Sequence, residues 1–184
     1  MVRRLVLGRT PGRWTPAVSP ALLSRKGIPA RILGVDPGTL KVGWAVLERS
    51  ERGPVSLLEA GVIRLKGTDP IEVRLLAVHR ALMTELGRFK PDLMALESAF
   101  FGRSVSAAIR LGEGRGAALV AAAAAGVPVR SWAPAQVKKA VSGHGAATKA
   151  TLQAITRSAL GLGKTLPVDA SDAAAVALCH LMRT

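Results

Sequence analysis

Two short apolar runs in this chain each end on a carboxylate: Arg31–Asp36 (RILGVD) and Pro91–Glu97 (PDLMALE). Runs of that length and continuity read as buried strands rather than as helices or surface loops. Glu97 follows the nearly continuous apolar strand Leu93–Leu96, where a carboxylate is costly unless something binds it. The neighbouring segments fall into place around these two. Pro37-Gly38 makes a turn after Asp36. Lys41–Glu48 (KVGWAVLE) and Val55–Leu65 then form two more strands on either side of a polar loop, which predicts an antiparallel meander. Pro70–Phe89 has the periodicity of an amphipathic helix, with Val73, Leu76, Ala77, Arg80 and Met83 spaced by three and four. A long helix over Ser104–Ala125 stops at Gly126, and Val127–Trp132 supplies a fifth strand. Helices follow over Pro134–Val141, Thr148–Leu160 and Asp169–Met182. The order predicts an α/β domain: a five-stranded mixed sheet flanked by helices.

Charge narrows the class of function. The 184 residues carry a formal charge of +14, which points towards nucleic acid. Seven of the basic residues (Arg3, Arg4, Arg9, Arg13, Arg25, Lys26 and Arg31) fall in the first 31 positions, where there is no acid. Pro11, Pro16, Pro20 and Pro29 interrupt the same stretch, so residues 1–30 are expected to be a disordered basic extension and 31–184 the folded domain. With one cysteine no intrachain disulfide can form, which fits a reducing cytoplasm. Cys179 lies in the apolar run Ala173–Leu181 and reads as a small hydrophobe, not a nucleophile. No run approaches the ~20 apolar residues of a membrane span.

Four carboxylates stand out by position. Asp36 and Glu97 end their strands, and Asp169 and Asp172 lie three apart at the start of the last helix, on one helix face. Gathered at one sheet edge they would repel each other, and hard divalent cations such as Mg²⁺ or Mn²⁺ would relieve that repulsion. Taken singly, each also has a structural explanation: Asp36 as a turn former before Pro-Gly, Asp169 and Asp172 as helix-start acids facing the dipole. Glu97 is the hardest to explain in that way. The Gly-rich segment Leu111–Gly116 (LGEGRG) lies inside a helical pattern and lacks the lysine and hydroxyl of a phosphate loop. Gly112 and Gly116 there predict close packing, against the sheet or a second subunit. His79 reads as a partly exposed bystander, His180 as a core or surface-edge residue, and His144 sits in the loop Ser142–Gly145, where a DNA-contact or site-edge role is open.

Five segments in order resemble the RuvC-type Holliday junction resolvases: Ile32–Gly38 (ILGVDPG), Ala95–Phe101 (ALESAFF), Ala107–Ala117 (AAIRLGEGRGA), Ala133–Gly145 (APAQVKKAVSGHG) with Lys149, and Asp169–Ala177 (DASDAAAVA). The resemblance spans about residues 31–182 and implies a ribonuclease-H-like fold. It also implies a homodimer that makes paired nicks across four-way junction DNA, alongside a branch-migration complex of RuvA and RuvB type. It casts Asp36, Glu97, Asp169 and Asp172 as the metal-binding catalytic set, Phe100 as a base-stacking residue, and Lys138, Lys139 and Lys149 as contacts to the DNA backbone. Ser98 and Ala99 follow Glu97 where the family often has larger residues, and residues 1–30 have no counterpart. Two rivals remain: a non-catalytic nucleic-acid-binding protein, and a nuclease of the same fold acting on another branched or RNA-containing substrate. A sugar-kinase-like ATP site would need a second large domain that 184 residues do not supply.

Overall fold

The structure, a computed structural model, describes residues 30–50, 54–98, 105–143, 145 and 147–183. The 1–29 extension, Phe100, Phe101 and His144 lie outside the described residues. The elements run β1 (Ala30–Asp36), β2 (Lys41–Arg49), β3 (Val55–Arg64), α1 (Ile71–Phe89), β4 (Leu93–Glu97), α2 (Val105–Ala124), β5 (Val129–Trp132), α3 (Pro134–Ser142), α4 (Lys149–Ala159) and α5 (Val168–Arg183). One sheet orders its strands β3-β2-β1-β4-β5. The first three strands pair antiparallel, while β4 and β5 join parallel to β1. This is the ribonuclease-H-like, five-stranded mixed sheet that the resemblance implies.

Strand alternation divides the core into two layers. Leu33, Val35, Val42, Trp44, Val46, Met94 and Leu96 face α1 and α2. Ile32, Ala45, Leu47, Leu93, Ala95 and Trp132 face α3, α4 and α5. Helix α5 does most to place the acids. It is buried along nearly its whole length, from Ala170 to Leu181, and carries Ala170, Ala173, Ala174, Ala175 and Ala177 where it lies against the sheet. A Cβ at Gly34 would stand 2.1 Å from the Ala173 carbonyl oxygen, and one at Gly43 only 1.8 Å from that of Asp169. Glycine in β1 and β2 and alanine in α5 are therefore two halves of one close approach.

Helix α1 buries Val78, Leu82 and Leu86. The face marked by the sequence periodicity is a different one, and Val73 and Leu76 remain 48% and 47% exposed. Glycine packing on α2 differs from expectation too. A Cβ at Gly112 or Gly116 would meet nothing, whereas one at Gly114 would stand 2.6 Å from the Gly38 carbonyl oxygen. The glycine that α2 needs is the one resting on the β1–β2 turn.

Candidate active site

Period-two alternation puts Asp36 on the face of Ile32 and Gly34, and Glu97 on the face of Leu93 and Ala95. The parallel register pairs Gly34 with Ala95 and Val35 with Leu96. The next step brings Asp36 level with Glu97, both at the carboxyl ends of their strands and both under the amino end of α5. Asp36 also pairs with Gly43 in the antiparallel ladder, and Gly43 is where the Asp169 backbone rests. Sheet register and helix approach thus deliver three chain segments to one point.

A cavity of about 260 Å³ opens there, lined by Asp36, Glu97, Asp172, Lys138 and Lys149, with Pro134, Val137 and Leu152 as its apolar walls. Asp36 and Glu97 share a hydrogen bond between their carboxyls. Burial, the Glu97 charge and the Asp172 charge push the Asp36 carboxyl from its ordinary 3.8 up to about 8. Glu97 is raised as well, chiefly by burial. At neutral pH the pair therefore keeps a proton, and its two groups titrate as a unit. Asp172 is paired instead with Lys149, Nζ to Oδ2 at 2.6 Å. That contact raises the Lys149 pKa and keeps the ammonium charged. A cation in the first turn of a helix, as Lys149 is in α4, opposes the helix dipole, so the carboxylates opposite are what hold it there.

Asp169 opens α5 in the same layer and contributes to the field at Lys149, although it does not line the cavity. Lys138 lines the cavity, whereas Lys139 is exposed on α3 outside it. Phe100 lies outside the described residues. Cys179 is buried, with its thiol pushed up to about 11 by burial, as befits a core residue. His180 is 2% exposed and held down to about 4, first by burial and then by Arg130 and Arg49.

Arg115 belongs to this site, and the sequence did not point to it. From α2 it donates through Nη1 to the Glu97 carbonyl at 3.3 Å and through Nη2 to Ser131 Oγ at 2.8 Å. It ties the end of β4 to β5 at the residue that carries the acid. Nothing distinguishes it from a solvated helical arginine until the sheet is assembled.

The donor set suits a hard divalent cation: oxygens only, several of them anionic, two of them holding a proton that such an ion would displace. Among the described residues no group of three His, Cys, Asp or Glu side chains is already arranged to hold a metal ion. Asp172 is engaged by Lys149 and Asp36 by Glu97, and freeing them is what would complete a ligand set.

A family model described as crossover junction endodeoxyribonuclease RuvC matches residues 32–180. A crossover junction endodeoxyribonuclease RuvC from Chloroflexus aggregans is 42% identical over 151 residues, covering 82% of this chain and 92% of the relative. One from Magnetococcus marinus is 42% identical over 154 residues, covering 83% and 84%. The structure of Thermus thermophilus RuvC in complex with a Holliday junction substrate superposes with a TM-score of 0.77 at 36% identity, covering 82% of this chain and 92% of that one.

Proposed function

Because the chain belongs to the RuvC family of crossover junction endodeoxyribonucleases, we propose that it is a nuclease that resolves four-way DNA junctions, with the Asp36–Glu97–Asp172 cavity as its active site. The observation that carries this is the meeting of those three acids with Lys138 and Lys149 at one sheet edge. Asp36, Glu97 and Asp172, with Asp169 at the rim, would hold divalent cations, Mg²⁺ in the first instance with Mn²⁺ as a substitute. When bound, such ions supply an activated water and stabilise the leaving oxygen of a phosphodiester.

The chain's own groups prepare that chemistry. Asp36 and Glu97 would have to give up their shared proton to act as ligands. Lys149 would swing its ammonium from Asp172 towards the incoming phosphate, leaving the carboxylate free as a ligand and the acid cluster more negative, a charge that a divalent cation would offset. Lys138, which also lines the cavity, meets a phosphate oxygen, and Lys139 contacts the backbone further out. Val137 and Leu152 narrow the water-accessible space and strengthen each of these interactions. Phe100 stacks on a base near the crossover.

Two symmetric nicks need two such sites related by a two-fold axis, so we take the active species to be a homodimer. Exposed apolar residues on α1 and α2 support this: Leu76, Ile109 and Val120 are 47%, 57% and 59% exposed. A groove of about 510 Å³ runs between the two helices. The open space beside Gly112 and Gly116 lets a second copy approach closely. Recognition of junction shape suits work beside a RuvA- and RuvB-type branch-migration complex in the cytoplasm. Among the described residues no helix is long and apolar enough to cross a membrane.

The test offers the pure protein junction, linear duplex, flap and RNA–DNA hybrid in Mg²⁺ while its mass in solution is measured. Selective cutting of the junction by a dimer is expected. Preferential cutting of the hybrid, or full junction activity from a strict monomer, would overturn the resolvase reading.

A further inference from the structure

Edge strand β5 carries a group of donors that the active site does not use. Arg130 and Trp132 are two residues apart and share a face. The Arg130 guanidinium lies 5.5 Å from the Trp132 ring, and the guanidinium of Arg183, from the end of α5, lies 5.8 Å from the same ring. Trp132 is 5% exposed, and its Nε1–H has no acceptor among the described residues. Neither arginine belongs to an ion pair among the described residues. Both are exposed. The group therefore consists of donors alone: two stacked, pre-oriented guanidiniums over an indole N–H. The field there is positive. His180, edge-on to Trp132 at 5.9 Å, is kept neutral by its burial and by Arg130 and Arg49.

We propose that Arg130 and Arg183, stacked on Trp132, form a second phosphate-binding site that grips the backbone of a duplex arm leaving the junction. The proposal rests on the resolvase reading and deepens it. Its placement fits. Trp132 pairs with Glu97 across the β4–β5 ladder, and both face the α3–α5 layer. Given strand rise and spacing, Arg130 lies roughly 10 Å from the acid pair. Measured along a duplex axis, that separation covers about three base-pair steps, so the phosphate gripped lies within the first few base pairs of the arm. Lys138, which lines the acid cavity, and Lys139 add further basic charge on α3, the helix that follows β5 directly. Stacking on Trp132 restricts both guanidiniums in advance, so less freedom is lost when phosphate binds. Charged residues on an edge strand also discourage strand-to-strand aggregation. That role would need neither the stacking nor the contribution from α5.

The experiment measures junction binding in chelator, so that nothing is cut, on a junction with native phosphates and on one whose second to fourth linkages from the crossover are neutral methylphosphonates. Arg64→Ala, on the opposite edge strand, serves as the control for net charge. On the native junction, Arg130→Ala and Arg183→Ala should each weaken binding roughly five- to tenfold, and the salt slope should fall by about one for each. Arg130→Lys and Arg183→Lys should keep the slope, which separates charge from folding. On the methylphosphonate junction the penalty should shrink to that of Arg64→Ala. Alanine variants that match the control on the native junction would overturn the proposal and leave an edge guard or an acidic protein surface as the role of the patch. A penalty that persists without those charged phosphates would overturn it too. Failure of the wild-type protein to prefer junction over duplex would instead count against the resolvase reading itself.

Discussion

Replacing Asp36 by Asn should stabilise the metal-free protein above neutral pH while removing its activity. The Asp36 carboxyl is lifted from 3.8 to about 8 by burial and by two acidic neighbours. A carboxyl whose pKa is higher folded than unfolded makes the folded state bind more protons, so stability falls as pH rises through that interval. The interval below about 6.5 is complicated by His180, whose folded pKa of about 4 lies under its ordinary 6.5 and gives stability the opposite slope. Lys149 and Cys179 titrate well above neutrality. The clean window is therefore pH 6.5 to 8. Across it the extra proton, held almost fully at pH 6.5 and half lost by pH 8, is worth about 1.5 kcal/mol, or about 3–6 °C in Tm for a domain of this size. Thermal unfolding in EDTA across that window should show this loss in the wild-type protein and a nearly flat profile in Asp36→Asn. Saturating Mg²⁺ should recover the lost stability in the wild type alone, because the cation takes over the role of the shared proton. A flat wild-type profile, or an Asn variant less stable than wild type at pH 8, would show that Asp36 does not hold a proton in this range.

Glu97→Gln should reduce junction cleavage by at least about a thousandfold, in line with loss of an electrostatic transition-state group, while gel-shift affinity in chelator stays within a few-fold of wild type. Gly43→Ala places a Cβ 1.8 Å from the Asp169 carbonyl oxygen, a backbone atom that cannot yield without moving α5. It should lower stability by about 3 kcal/mol, seen as a fall in Tm, and depress cleavage further than the stability loss alone explains. Arg115→Ala frees the Glu97 carbonyl and Ser131 from their tie to α2. It should lower kcat about tenfold, a cost typical of a lost charged hydrogen bond, with KM for junction little changed and partial recovery in Arg115→Lys.

The two strand-end acids were legible because period-two alternation leaves little choice: a carboxylate closing an apolar strand stands over whatever covers that face. The sheet was legible for the same reason, down to the meander of β1, β2 and β3. The buried side of α1 was not. That helix carries apolar residues on two sides, Val78, Leu82 and Leu86 on one and Val73 and Leu76 on another, and periodicity alone does not say which side meets the sheet. Gly114 was overlooked beside Gly112 and Gly116 because the contact that requires it, the Gly38 carbonyl, lies 76 positions away in the chain. The Lys149–Asp172 pair, the Arg115 tether and the arginines on Trp132 share that property: each depends on distant elements meeting, which no local pattern encodes.

The acids at this sheet edge should cut two opposing strands of a four-way junction in concert. Labelling each of the four strands of one junction in turn and mapping the cuts in Mg²⁺ and in EDTA reads this out. Nicks are expected at symmetric positions in one pair of opposing strands, with products that ligase can seal and no cleavage in EDTA. Unpaired nicks scattered over all four strands, or cleavage that persists in chelator, would contradict it.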